Sequence, residues 1–200
     1  NFIALFDDDQ FKAALKNTIV YTGGTVPLTL VGSLLLAVIL NKKIRGRNFF
    51  RTVSFFPYVA SLVAVAAVWN MMFNPTKGPV NMMLHSLGFK NVPGWAADRH
   101  WAMPTVIFFS VWKYVGYYMI IYLAGLQSIS AELYEAADLD GANGWQKFIS
   151  ITIPQLSATT FFVLVMLTIQ CFKVYDIVYM ITQGGPGTAT LVLVYDIYNK

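Results

Sequence analysis

Residues 17–41 read NTIVYTGGTVPLTLVGSLLLAVILN: no charged side chain from Asn17 to Asn41, closing on the run Leu34-Leu35-Leu36-Ala37-Val38-Ile39-Leu40. About 20 mostly apolar residues in a helix cross roughly 30 Å of hydrocarbon. Gly23, Gly24, Pro27 and Gly32 would weaken this segment as a soluble helix, but such residues are commoner in membrane helices, where small ones let neighbouring backbones approach. Three further stretches have the same character. Thr52 to Thr76 is uncharged, Trp101 to Ala131 holds only Lys113, and Phe148 to Phe172 is again uncharged. Pro154 marks off an interfacial piece from the last of these, so that the span proper lies nearer Ala158 to Ile181. The reading is an all-α, polytopic transmembrane helical bundle, a single domain over 1–200 with spans at about 17–40, 52–73, 102–126 and 158–181.

Composition agrees. Of 200 residues 56% are hydrophobic and only 12% charged, half the charged share of an ordinary soluble domain. The net charge of +4 does not indicate a nucleic-acid binder, because the basic residues fall between long uncharged stretches rather than on a polar face. Five of them occupy ten positions without an acid, Lys42-Lys43-Ile44-Arg45-Gly46-Arg47-Asn48-Phe49-Phe50-Arg51, which marks that turn as cytoplasmic. The connection from Asn74 to His100 is then outside, with Trp95 at the interface, and four spans place both ends of the chain outside. Asp7, Asp8 and Asp9 read as a solvated acidic run there, not as the basic start of a signal peptide. Asn1 in place of Met suggests a partial chain. Cys171, alone among apolar neighbours, reads as a buried thiol. His85 and His100 lack metal-ligand spacing, and Met71, Met72, Met82 and Met83 read as packing. No catalytic residue, metal or cofactor is expected.

The connection from Gln127 to Ser157 is longer than joining two spans requires, and it is patterned. Ser130 is placed to N-cap a helix over Ala131 to Leu139, with Glu132 in its first turn. Gly141 offers a left-handed stop. Asn143 and Gln146 have capping-box spacing for a second helix through Ile151, and Pro154 ends or kinks it. Leu133, Ala136, Ala137 and Ile151 then share an apolar side, beside Glu135 and Asp138. On this pattern alone, a surface loop packed on its own protein explains the stretch as well as a docking element does.

A resemblance separates the two readings. Glu135-Ala136-Ala137-Asp138-Leu139-Asp140-Gly141, nine residues, then Ile151-Thr152-Ile153-Pro154 is similar to the EAA loop of ABC-importer permeases, EAA-x3-G-x9-I-x-L-P, with Ile153 in place of the usual Leu. Tyr122 to Ile129, Thr182-Gln183-Gly184-Gly185-Pro186-Gly187, and Leu40 to Arg47 leading into Phe55-Phe56-Pro57-Tyr58 extend it. Together they resemble the carbohydrate-uptake branch, the first permease of a maltose- or glycerol-phosphate-type pair. The resemblance implies the type I importer fold, with one more span on each side of the stretch seen here. It implies a bacterial inner-membrane protein working with a second permease subunit, two ABC ATPase subunits, an extracytoplasmic solute-binding protein and a sugar. Loop 127–157 is then the coupling element, with Glu135, Ala136, Ala137, Gly141, Ile151 and Pro154 at the ATPase. No GxxxxGK[ST] loop is present, so hydrolysis belongs to the partner.

Lys113 is the sharpest residue inside a span. A lysine at mid-membrane costs roughly 3 kcal/mol on insertion scales and faces a partner or a wet cavity. Ser110, Lys113, Tyr114 and Tyr117 share one helical face, and Gln170, Lys173 and Val174 share another, with Asp176 a possible ion partner for Lys173. With Tyr58, these hydroxyl, amide and aromatic groups suit a sugar, and the resemblance points to the same faces as a solute path. Structural pairing of Lys113 and simple packing of the tyrosines are the plainer alternatives. An ion-coupled carrier or channel, and a membrane scaffold without transport, are the competing functional classes.

Overall fold

A computed structural model describes residues 8–199; Asp7 of the acidic run lies outside them. The described residues form helices and connections, without strands. In chain order the main helices are α1 (Asp9–Asn41), α2 (Arg47–Val59), α3 (Leu62–Met72), α4 (Pro79–Ser86), α5 (Ala102–Gln127), α6 (Ala131–Leu139), α7 (Gly144–Gln155), α8 (Ser157–Phe172), α9 (Asp176–Ile181) and α10 (Leu193–Asn199). α1 and α5 are each long and apolar enough to cross a membrane alone. The pairs α2 with α3 and α7 with α8 qualify only together, across short breaks, the second pair bent by 63°.

Helix ends differ informatively from the expected spans. α1 begins before Asn17 because Asp8 caps it, its Oδ1 accepting from the Gln10 N–H at 2.8 Å, and an acid there also suits the positive end of the helix. The segment 52–73 is not one helix but two, parted after Val59. The segment 158–181 likewise divides at 173–175: Lys173 stands just past α8 with its N–H still donating to the Ile169 carbonyl at 3.2 Å, and Val174 leaves the helical course. Asp176 starts α9, and among the described residues no ion pair joins it to Lys173.

The described residues fall into two compact units. The first holds those through Val26, then Val59–Trp112 and the chain from Thr168 onward. Its centre is aromatic. Trp69 on α3 meets Phe73 at 4.6 Å, Phe109 edge-on at 5.0 Å and Trp112 at 5.3 Å between ring centroids, geometries that ring quadrupoles favour. Polar ties close the remainder. Tyr21 donates to the Ser110 hydroxyl at 2.8 Å, Asn70 Nδ2 to the Met180 carbonyl at 3.0 Å, and Asn17 Nδ2 to the carbonyls of Thr188 and Leu191 at 2.7 and 3.0 Å. In the connection before α5, buried Asn81 donates to Pro75 and Pro93 carbonyls and accepts from Trp95 Nε1.

The second unit, Pro27–Tyr58 with Lys113–Leu167, is joined by close backbone approach. A Cβ at Gly116 would overlap the Ser54 carbonyl, so only glycine lets α5 lie against α2 here. Gly125 brings α5 onto Leu156 and Thr159 in the same way, and Gly32 brings α1 onto Val115. Arg51 reaches back to donate to the Leu40 carbonyl at 2.8 Å, closing the end of α1. Along α1 as a whole, Thr18, Thr25, Thr29 and Ser33 are buried while Leu28, Val31, Leu35 and Ile39 are exposed. Hydroxyls in and aliphatics out is the arrangement of a helix whose surroundings are lipid.

Gly116→Ala is expected to destabilise the folded protein by about 2 kcal/mol or more, the range of overpacking in a closed contact. Gly23→Ala, where an added Cβ meets nothing within 4 Å, is the matched control. Thermal unfolding of the two variants in the same detergent checks this; equal midpoints would show that the α2–α5 contact is looser than described.

Candidate functional site

The patterned loop folds as a closed knuckle. The Ser130 hydroxyl accepts from the Glu132 N–H, starting α6, and Asp140 is its C-cap. Gly141 takes φ +74°, the Gly141 N–H donates to the Asp138 carbonyl at 3.1 Å, and the Ala142 N–H donates to the Ala137 carbonyl at 2.9 Å. Those two bonds are the Schellman pattern, with glycine at the residue that needs a left-handed backbone. Asn143 then caps α7: its Oδ1 accepts from the Trp145 and Gln146 N–H groups, both at 3.0 Å, while Gln146 Oε1 accepts from the Asn143 N–H at 2.8 Å. The reciprocal bonds complete a capping box.

Two ties across the knuckle were not readable from spacing. Lys147 is ion-paired to Asp138, and the Tyr134 hydroxyl is hydrogen-bonded to Thr152 Oγ1 at 2.9 Å. They fasten α6 to α7 from both ends. α7 itself runs past Ile151 to Gln155, through a widened π turn over Phe148–Thr152. Pro154 has no N–H to give and its ring crowds the carbonyl four residues earlier, so a wider turn just before it relieves the clash. The turn of direction comes after Gln155, not at Pro154.

The outer face of the knuckle is bare. Leu139 is 90% exposed and Trp145 68%. Glu135, Ala136, Gly141 and Pro154 are exposed, and Ala137 and Ile151 half-buried. Behind the knuckle, a groove of about 460 Å³ is lined by Leu35, Val38, Tyr134, Trp145, Phe148 and Thr152 among others.

The residues expected to line a solute path are distributed unevenly. Tyr58, Lys113 and Tyr117 come together in the second unit. The Tyr58 and Tyr117 rings stack at 4.3 Å with 14° between planes. Lys113, 9% exposed, directs its ammonium to the carbonyls of Pro57 at 3.0 Å and Tyr58 at 3.4 Å. Tyr114 is buried beside them in sequence. Ser110 is in the other unit, where its hydroxyl accepts from Tyr21 and donates to the Val106 carbonyl at 2.8 Å. Gln170 and Lys173 are exposed there too. Gly116, one turn from Lys113, was missed as a site residue; its signal was a lone glycine inside an apolar helix, the pattern of a close helix contact.

Among the described residues no cluster of three or more metal-ligating side chains occurs. The described residues present apolar spans and broken spans together with an exposed helical knuckle tied by its own side chains. Residues 29–199 match the family described as binding-protein-dependent transport system inner membrane component, and the chain belongs to it. It is 39% identical over 203 residues to a lactose transport system permease protein of Rhizobium radiobacter, covering all of this chain and 68% of that one. It is 36% identical over 200 residues to an sn-glycerol-3-phosphate transport system permease protein of Agrobacterium fabrum, again covering all of this chain and 68% of the relative. A solved bacterial alginate ABC transporter, in complex with an alginate pentasaccharide-bound periplasmic protein, superposes with a TM-score of 0.89 at 30% identity, over 99% of this chain and 69% of that one. The protein is thus a multi-pass membrane permease subunit of a binding-protein-dependent ABC importer, a transport component rather than an enzyme, and the comparisons do not favour an ion-coupled carrier or channel.

Gly141→Ala is expected to weaken the turn by about 1–2 kcal/mol, the cost of a left-handed backbone in an L-residue. Hydrogen exchange at the Ala142 amide checks it. That amide is expected to exchange faster than in a Gly144→Ala control, and an unchanged rate would mean the turn does not depend on Gly141.

Proposed function

We propose that the importer carries a carbohydrate or a related polyol or phosphoester, and that loop 127–157 couples it to ATP. The observation that carries this reading is the knuckle: two short helices capped at their starts and at the turn between them, tied by Asp138–Lys147 and Tyr134–Thr152, with the apolar Leu139 and Trp145 left uncovered by this chain. Such a body transmits a push without deforming. Glu135, Ala136, Ala137 and Gly141 form its docking surface on an ABC ATPase subunit, supported by Ile151 and Pro154. Small alanines permit close approach, and Glu135 sets register against a basic groove residue even where the net energy of the pair is small. ATP binding then biases the spans between inward-open and outward-open states through differential contact.

In this reading the spans are 17–40, 52–73, 102–126 and 158–181, the basic turn Lys42–Arg51 faces the cytoplasm of a bacterial cell, and 74–100 faces outward. The full importer adds a second permease subunit, two ATPase subunits and an extracytoplasmic solute-binding protein. Carbohydrate as solute class is supported by the relatives, named for lactose and glycerol phosphate, and by the alginate transporter. The Tyr58–Tyr117 stack offers an apolar sugar ring an outward aromatic face, with hydroxyls at the edge. Ser110, Lys113, Tyr114, Gln170 and Lys173 complete the set of residues assigned to the path.

Ala137→Cys, in the full-length chain co-expressed with the ATPase, is expected to give a cross-linked adduct whose yield changes between nucleotide-free and vanadate-trapped states. Absence of an adduct in both states would defeat the coupling assignment.

A further inference from the structure

α2 ends at Val59 and α3 begins at Leu62. In an uninterrupted helix the Pro57 and Tyr58 carbonyls would accept from the amides of residues 61 and 62. The break removes those donors, and among the described residues no backbone N–H donates to either carbonyl. Lys113 supplies what is missing, its Nζ lying 3.0 Å from one oxygen and 3.4 Å from the other. An ammonium has three donors and no acceptor, and a cation suits the negative end of a helix. It is brought there by Gly116, one turn further along α5, whose bare Cα lets the α5 backbone lie against Ser54. The same turn carries Tyr58, whose ring lies flat on Tyr117, four residues after Lys113.

From this we infer that Lys113 is a positioning residue: it latches the broken end of α2 and so holds Tyr58 against Tyr117, without itself contacting the solute. The inference rests on the reading of the two tyrosines as part of the solute path. It changes the part assigned to Lys113, whose charge serves peptide carbonyls and not a ligand. Selectivity for charged over neutral solutes therefore does not originate at Lys113.

The test is made in the full-length chain co-expressed with its partner subunits. Tyr58→Cys and Tyr117→Cys are combined, and the rate of bridging by a short bis-methanethiosulfonate is measured in membranes, a readout that needs no solute. Lys113→Met and Lys113→Leu are each expected to slow bridging by roughly tenfold or more, as loss of a charged hydrogen-bond donor implies. Lys113→Arg, which keeps donors and charge, is expected to restore it. Parent-like bridging in both apolar variants would overturn the proposal. So would loss of ATPase co-purification in both with retention in Lys113→Arg, which would make Lys113 a general folding residue. With Tyr58 and Tyr117 intact, solute-stimulated ATP turnover is compared using lactose and sn-glycerol 3-phosphate as probes with the cognate binding protein. A Lys113→Met defect seen only with the anionic probe would also overturn the proposal, in favour of direct contact. Failure of the underlying solute-path reading is separately visible, because Tyr58→Ala would then leave solute stimulation unchanged whatever the bridging result.

Discussion

Inside hydrocarbon a peptide carbonyl or amide without a partner is expensive, and no water is at hand to relieve it. The helix breaks in this fold answer to that constraint. The chain breaks its helices where a simple span would run on, and at the breaks a side chain stands in for the missing backbone partner. Lys113 serves the carbonyls of Pro57 and Tyr58, Arg51 that of Leu40, and Asn70 that of Met180. Asn17 serves Thr188 and Leu191, and the Thr18 hydroxyl accepts the Leu193 amide at 3.0 Å. The breaks are therefore fixed features with defined geometry, available to hold side chains such as Tyr58 in place.

The loop between α5 and α8 solves the opposite problem. Its surface is exposed, so water satisfies its polar groups and nothing forces it to be ordered. Order comes instead from its own sequence: a serine cap, a Schellman glycine and an asparagine–glutamine box close one helix and open the next within a few residues. An ion pair and a hydroxyl bond then lock the two together. The two helices are thereby held to each other by contacts of this loop alone, as the proposed coupling role requires.

This difference explains what could be read in advance. The loop was legible nearly residue by residue, including Ala131–Leu139 and the capping box, because caps act over two to four positions. The class of fold was legible from four long apolar stretches, three of them without a charge. The breaks were not. Pro57 precedes the break by three residues and the helix tolerates it, while Ala60 and Ser61 carry no strong stop signal. The partner of Lys113 was equally hidden, because the acceptors are main-chain oxygens, which have no residue identity to search for. An intramembrane lysine could be recognised as out of place, but its destination depended on a fold fifty-six positions away in sequence. The departure of Val174 from the face of Gln170 and Lys173 was hidden for the same reason, since α8 stops at Phe172.

Hydroxyl-radical footprinting of the assembled importer against ATPase-stripped permease in the same membrane tests the coupling account most directly. Leu139 is 90% exposed and Trp145 68% exposed in this chain. Both are expected to lose most of their reactivity when the ATPase is present, while Phe49 on the basic turn, 67% exposed, keeps its own. Undiminished labelling of Leu139 and Trp145 in the assembled complex would contradict the claim that this knuckle is where the permease meets its motor.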